Sequence, residues 1–397
     1  MITVKPPLSK WWATTKTPAG AAVMVAVIVL WLLNRPAKAL PTMIRLGYSN
    51  CAACHVSPQG GGLLNPYGRS IDQAQSLQGG DYQASERPFV KWLSWGGRIT
   101  QDVRSVTQGQ VSSVSDEPML DTLRARFMYR NATELGKGFR LSAVVNGENE
   151  SSKRAALSFE PAIKPQEVYV TSALLSYRPK NTLEFEVGRD PLPTGINLPD
   201  QSYLFHSHNR IGYYDAPLQA KLFWWGKRYQ ITPYAFAPGG PEPSGERESG
   251  AGSLAEFDVL GKGKTVVGVN ALHGNSRNVH RTLVGPYVRL GFGPWGILAE
   301  HDITERKLTT SAVTFKQHAS YAQLFWYPRE WLIASLIGEQ LETQRPFREH
   351  LIGGRFEMAS RLSSHITLGI TSRLERNYVT GKLTRSVALQ LALKTVN

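Results

Sequence analysis

Val387-Ala388-Leu389-Gln390-Leu391-Ala392-Leu393-Lys394 alternates large apolar residues with small or polar ones at a strict period of two. Successive side chains of a β-strand point to opposite faces, so this octet has one wholly apolar face and one mixed face. The pattern recurs upstream. Ile366, Leu368 and Ile370 alternate with Thr367, Gly369 and Thr371. Leu183, Phe185 and Val187 alternate with Glu184, Glu186 and Gly188, and Leu123, Ala125, Phe127 and Tyr129 with Arg124, Arg126, Met128 and Arg130. Charged residues occupy the face where a soluble sandwich would place its core.

From Phe89 to the C-terminus about sixteen segments of strand length follow one another, an even number, as single-chain bacterial barrels use. Short turn signals stand at Arg178–Asn181, Gly226–Arg228, Gly261–Lys264, Gly293–Gly296 and Pro328–Glu330. Longer polar stretches separate them: Asn149–Pro165, Asp190–Ala216, Ala237–Ser253 and Thr304–Lys316. Short connections alternating with long ones are the periplasmic-turn and extracellular-loop pattern of membrane barrels. Trp224, Trp225, Trp326, Tyr327 and Trp331, near strand ends, suit interfacial aromatic girdles. The expected fold is therefore all-β: a transmembrane antiparallel barrel of about 16 strands spanning residues 84–397. The competing reading is a soluble β-sandwich, which also alternates. The ending Thr395-Val396-Asn397 departs from the terminal aromatic common in such barrels.

The N-terminus directs the chain to export. Lys5, Lys10 and Lys16 precede the apolar run Ala21–Leu33, and Ala37-Lys38-Ala39 offers a small-x-small cleavage site. This is the layout of a signal peptide over residues 1–39; a retained anchor would want about 20 apolar residues. No long apolar segment follows residue 40, so a membrane crossing must be built from strands. The formal net charge is +14. Five of those cations lie in the leader, and the basic remainder suits anionic solutes or lipopolysaccharide phosphates. No nucleic-acid motif is present. The expected location is the bacterial outer membrane, with its lipid and lipopolysaccharide as surroundings.

Residues 40–83 form a small Gly-rich segment that holds the chain's two cysteines, in Cys51-Ala52-Ala53-Cys54-His55. C-x-x-C-H spacing reads as covalent attachment of one haem c, two thiols bonding its vinyl groups and His55 serving as proximal iron ligand. A zinc site would need two further ligands, and a redox dithiol a βαβ context. Forty-odd residues are marginal for a free-standing core, so the barrel is the expected cover. Candidate sixth ligands are Met43, His206 and His208; against these stand ordinary apolar packing for Met43 and plain loop surface for the histidines. Arg124, Arg126 and Arg130 share the polar strand face and suit haem propionates, or equally an anion path along a pore wall.

The arrangement resembles the fused monohaem cytochrome–porins, typified by the outer-membrane iron-oxidising cytochromes. In that family the haem segment continues to a Pro and a Leu-Asn-x-Phe-Gly; here Pro58 and Leu64-Asn65-Pro66-Tyr67-Gly68 follow His55, with Gly60-Gly61-Gly62 inserted and Tyr67 in place of Phe. The architectural likeness covers the chain, while motif specificity is confined to about Leu40–Arg69. The resemblance implies electron transfer across the outer membrane, Fe(II) as external reductant and a periplasmic cytochrome or other acceptor as partner. The basic strand face suits a ferrous cation poorly. No triad, metal cluster or carboxylate dyad calls for hydrolysis, and no catalytic residue is assigned. The competing function is an anion-preferring transport porin with a haem-bearing sensor, gate or docking segment. A soluble periplasmic haem protein with a β-sandwich partner is a third.

Overall fold

The structure, a computed structural model, describes residues 41–60, 63–77, 99–114, 117–148, 168–198, 203–211, 216–239, 247–363 and 365–394. The expected signal peptide, Gly61, Gly62, Phe89 and the stretch 149–167 lie outside them.

Sixteen antiparallel strands close into a barrel. They are β1 (Ile99–Val114), β2 (Glu117–Gly136), β3 (Phe139–Glu148), β4 (Val168–Lys180), β5 (Leu183–Arg189), β6 (Leu218–Trp225), β7 (Tyr229–Ala237) and β8 (Ser249–Asp258). The second half holds β9 (Thr265–Asn275), β10 (Val279–Phe292), β11 (Trp295–Leu308), β12 (Thr314–Arg329), β13 (Leu332–Thr343), β14 (Glu349–Arg361), β15 (Ile366–Asn377) and β16 (Leu383–Lys394). Each strand pairs with its sequence neighbours, and β1 with β16 from Arg104↔Lys394 to Val114↔Thr384 closes the ring. Closure leaves no unpaired edge, the condition for backbone to sit in hydrocarbon.

The alternation assigns the two faces. Leu389 is 64% exposed and Val187 58%, whereas Ala388, Glu184 and Glu186 are buried. Apolar residues therefore face outward around the wall and charged ones face the lumen. Among the described residues no helix is long and apolar enough to cross a membrane; the strands do so. An even strand number puts the β2–β3, β4–β5, β6–β7, β8–β9, β10–β11, β12–β13 and β14–β15 turns at one end, with the start of β1 and the end of β16. In such barrels that end faces the periplasm.

Two expectations need correction. Thr304–Lys316 is not a long loop: β11 runs to Leu308, β12 begins at Thr314, and only 309–313 connect them. The polarity read as loop character is the lumen face of a strand, because Thr304 and Arg306 are fully buried and bond to Asn209 and His208. The aromatic girdle is also thinner than the residue types suggest. Trp224 faces outward, and Trp326 stacks on Trp295 at 5.2 Å between ring centres. Their chain neighbours Trp225 and Tyr327 point inward and are buried, as period two requires, and Trp331 is buried too.

The described parts of the stretch from Asp190 to Ala216, residues 190–198 and 203–211, fold into the lumen, as a constriction loop would. The second carries a short helix, Leu204–Asn209. Ile196 N–H donates to Glu300 at 2.7 Å, Leu204 N–H to Glu339 at 2.7 Å and Asn209 Nδ2 to Asp302 at 2.7 Å. An apolar cluster including Leu192, Ile196, Phe205, Tyr321, Phe325 and Leu341 fills the space between loop and wall.

Candidate functional site

The cysteines lie on a tight turn built by their neighbours. Asn50 caps the 3-10 turn Cys51–Ala53, its side chain accepting from Ala52 N–H at 2.8 Å. Cys54 and His55 N–H both donate to the Cys51 carbonyl, at 3.1 and 2.9 Å. Two thiols three residues apart are thus presented by one turn, with His55 directly after them. His55 then pairs across a single bridge with Leu64, and Val56 N–H donates to Leu63 O at 3.0 Å.

Leu64-Asn65-Pro66-Tyr67-Gly68 is the clamp on that turn. Asn65 Nδ2 donates to the Ala53 carbonyl at 3.1 Å and to Ala52 O at 3.3 Å, and its own N–H to Cys54 O at 2.9 Å. Its Oδ1 accepts from Gly68 N–H at 2.8 Å, so the same side chain caps helix α1 (Pro66–Ala74). Pro66 takes the first helical position, where a missing N–H costs nothing. Gly68 is forced by contact: a Cβ there would fall 2.0 Å from Cys54 O. Gly60, at φ +80°, occupies left-handed space and rests against Cys51 Sγ, where a Cβ would meet it at 3.0 Å. The inserted glycine thus serves the turn that backs the first cysteine. Gly68→Val is expected to separate α1 from the cysteine turn. Protease resistance of residues 41–77 should fall while the barrel's heat-modifiable gel migration persists.

The clamped segment sits in the periplasmic mouth of the barrel. On one side Arg45 pairs with Glu330 at 2.9 Å and lies over the Tyr327 ring, whose hydroxyl meets that of Thr42. Asp72 pairs with Arg361 at 2.7 Å, and Gly47 abuts the β8–β9 turn at Gly263. On the other side Gln59 Nε2 donates to the Pro191 and Leu192 carbonyls, each at 3.1 Å. Lys221 Nζ reaches Gln59 Oε1 at 3.1 Å, Glu186 at 2.9 Å and Asp190 at 2.5 Å. β6 and β13 stand almost opposite in a ring of sixteen strands, so the segment bridges the opening.

Cys51 lies close to Arg289 and Glu256 of the wall, whose charges act on its thiol. Arg289, buried on β10, donates to Ser49 O at 3.3 Å and to Glu256 at 2.6 Å. Burial raises the pKa of both thiols; beside Cys51 the Arg289 charge offsets part of that rise. Both cysteines are free thiols. Among the described residues no group of three or more His, Cys, Asp or Glu stands together to hold a metal ion. Two thiols and one imidazole on a capped turn fit a prosthetic group that brings its own metal and bonds through sulfur. A structural zinc site would need further ligands, which no described His, Cys, Asp or Glu group supplies here.

The other candidates are scattered. Met43 is buried on the 3-10 turn Pro41–Leu46 of the same segment, and its carbonyl accepts from Tyr48 N–H at 3.4 Å. His206 stands in the lumen loop, its ring 4.1 Å from Phe205 and 6.3 Å from Tyr203. His208 lies toward the outer end, with Nε2 3.7 Å from Glu349 and its carbonyl held by Arg306. Burial lowers its pKa to about 4, so it is neutral at physiological pH. Arg289 pairs with Leu298, and Arg306 lies about 26 Å further along β11 at ordinary strand rise. The structure therefore does not bring His208 to the cysteine turn. Arg126 and Arg130 face the lumen on β2, where Arg130 is buried, and the Arg124 side chain lies outside the described residues. The arginine placed beside the cysteines is instead Arg289. Its only sequence signal was one charge at an inward position of the Tyr287-Val288-Arg289-Leu290 alternation.

The barrel has counterparts among solved structures. OmpT from Vibrio cholerae, as a loop L8 deletion mutant, superposes with TM-score 0.54 at 12% identity, covering 74% of this chain and 99% of that one. An anion-selective porin from Comamonas acidovorans gives 0.52 at 10% identity over 75% of this chain and all of its own. OprB from Pseudomonas putida gives 0.53 at 10%, over 75% and 94%. The fold is that of a porin-like outer-membrane barrel. Its outward apolar wall and closed ring place it in that membrane. No family model and no curated protein matches the chain.

Proposed function

We propose that the protein carries electrons across the outer membrane through one haem c bonded at Cys51 and Cys54, with His55 as proximal ligand. The observation that carries this reading is the seating of the C-x-x-C-H turn: it is clamped by Asn65 and built into the barrel mouth between Arg45–Glu330 and Gln59–Lys221. A sensor or docking tag on a tether would need no such seat. Bound there, the haem supplies one-electron exchange at a potential set by its ligands and surroundings. The chain's own contribution is positional. Asn65 and Gly68 hold the turn, Gly60 backs Cys51, and the wall excludes water from one side of the segment. Met43 is the sixth-ligand candidate that shares this segment. The donor is an external reductant, Fe(II) by the family resemblance, and the acceptor a periplasmic cytochrome or similar carrier.

A second reading, an anion-preferring porin, draws on the Comamonas acidovorans likeness and the lumen arginines. Those arginines are largely committed, however. Arg281 pairs with Glu248 at 2.6 Å, Arg289 with Glu256 at 2.6 Å and Arg355 with Glu339 at 2.7 Å. Arg306 bonds to Gln317 and His208 O. The described parts of the inward loop and the seated segment also stand in the lumen and its mouth.

The two readings separate in liposomes that enclose an impermeant electron acceptor. An impermeant external reductant should reduce that acceptor through the protein, while anion flux stays near the protein-free level. Anion flux without reduction would overturn the electron-transfer reading. Met43→Ala is expected to change the axial-ligand bands of the haem spectrum and leave covalent haem stain unchanged. An unaltered spectrum would remove Met43 from the ligand set.

A further inference from the structure

We propose that the periplasmic rim of the barrel is a docking surface for an acidic, soluble electron-carrier protein. This rests on the electron-transfer reading and names its partner. Every short turn but two contributes an exposed cation: Lys137 from β2–β3, Lys180 from β4–β5, Lys227 from β6–β7, Lys262 and Lys264 from β8–β9, and Arg329 from β12–β13. The antiparallel order places all six on one ring at one end of the molecule. Among the described residues of the turns at this end, acids are few and mostly occupied. Glu330 is paired with Arg45, and Asp258 accepts the N–H groups of Gly261 and Gly263. Glu134 is the exposed exception.

The ring encircles the seated segment, whose exposed described side chains include the large apolar Leu46 and Tyr67 alongside Ser70 and Ala74. Leu46 is 41% exposed and Tyr67 49%, with the hydroxyls of Tyr48 and Tyr67 in contact. Gly47, next to Leu46, lies against Lys262–Gly263, so the apolar patch adjoins the densest cations of the rim. An apolar centre within a charged rim is the anatomy of a transient protein interface. The charges govern encounter rate and orientation, and the centre supplies close approach. A positive rim selects a partner of negative surface charge. It also brings that partner onto the segment that carries the cysteines.

The test uses the full chain in neutral phosphatidylcholine nanodiscs. Its probes are the acidic soluble domain of cytochrome b5 and the basic mitochondrial cytochrome c. Cytochrome b5 should bind, more weakly as salt rises, and the dissociation constant should increase at least about tenfold in Lys227→Glu/Lys262→Glu/Lys264→Glu. Reversal at the opposite rim, Arg277→Glu/Lys382→Glu, should leave it unchanged, with heat-modifiable migration confirming that both variants fold. Equal binding of the basic cytochrome, or indifference to the triple reversal, overturns the proposal. So does a rim that recruits added phosphatidylglycerol vesicles but does not bind cytochrome b5. Because binding is read without electron flow, a protein that holds no haem yet binds cytochrome b5 overturns the electron-transfer reading and leaves the docking surface standing.

Discussion

Cys51→Ser/Cys54→Ser is expected to abolish covalent haem stain and to cut reduction of an enclosed acceptor to the rate of protein-free liposomes. The barrel should survive the change. Neither cysteine belongs to a strand, and serine matches cysteine closely in size, so Asn50, Asn65 and Gly60 can keep the turn they define. Heat-modifiable migration therefore separates loss of function from loss of fold. Single variants should retain haem on one bond and lose part of the signal. If reduction persists in the double variant, electrons take a route that does not involve this segment.

The second large effect concerns Lys221. It is buried, and its ammonium sits among Glu186, Asp190 and Gln59 Oε1. Removing one partner of a buried ion cluster strands the others, at a cost of about 3–5 kcal/mol. Lys221→Met should lower the urea midpoint for loss of the heat-modifiable form by a corresponding margin. It should also release the segment at Gln59 and the lumen loop at Asp190 together. The matched variant Lys221→Met/Glu186→Gln/Asp190→Asn removes the stranded charges with the cation and should recover most of that loss. Failure to recover would mean that the lysine acts through packing rather than through charge.

The barrel was legible because period two is a direct imprint of having lipid on one side and a polar lumen on the other. Val387–Leu393 and Leu183–Gly188 both kept the face assignments that their alternation implied. The mistakes came where polarity has two causes. Thr304 and Arg306 are polar because they face the lumen, and the same residue types also make loops. The cysteine turn was legible as a motif, since two thiols and an imidazole at fixed spacing are a local chemical statement. Its seat was not. Arg45–Glu330 and Lys221–Gln59 join distant parts of the chain, and neither Arg45 nor Lys221 differs in sequence from an ordinary surface cation. Arg289 was missed for the same reason, and the ladder Arg124, Arg126, Arg130 drew notice because it was local.

The seat of the cysteine turn also sets an order of assembly. Tyr327 and Glu330 lie 285 residues beyond Thr42 and Arg45, their partners. Contacts of such span form late, after the intervening chain has paired. A nascent chain therefore presents Cys51 and Cys54 on an open, self-clamped turn before any wall exists to cover them. Under the proposed haem attachment, thioether formation falls in that window, and the closing of the last strands ends it.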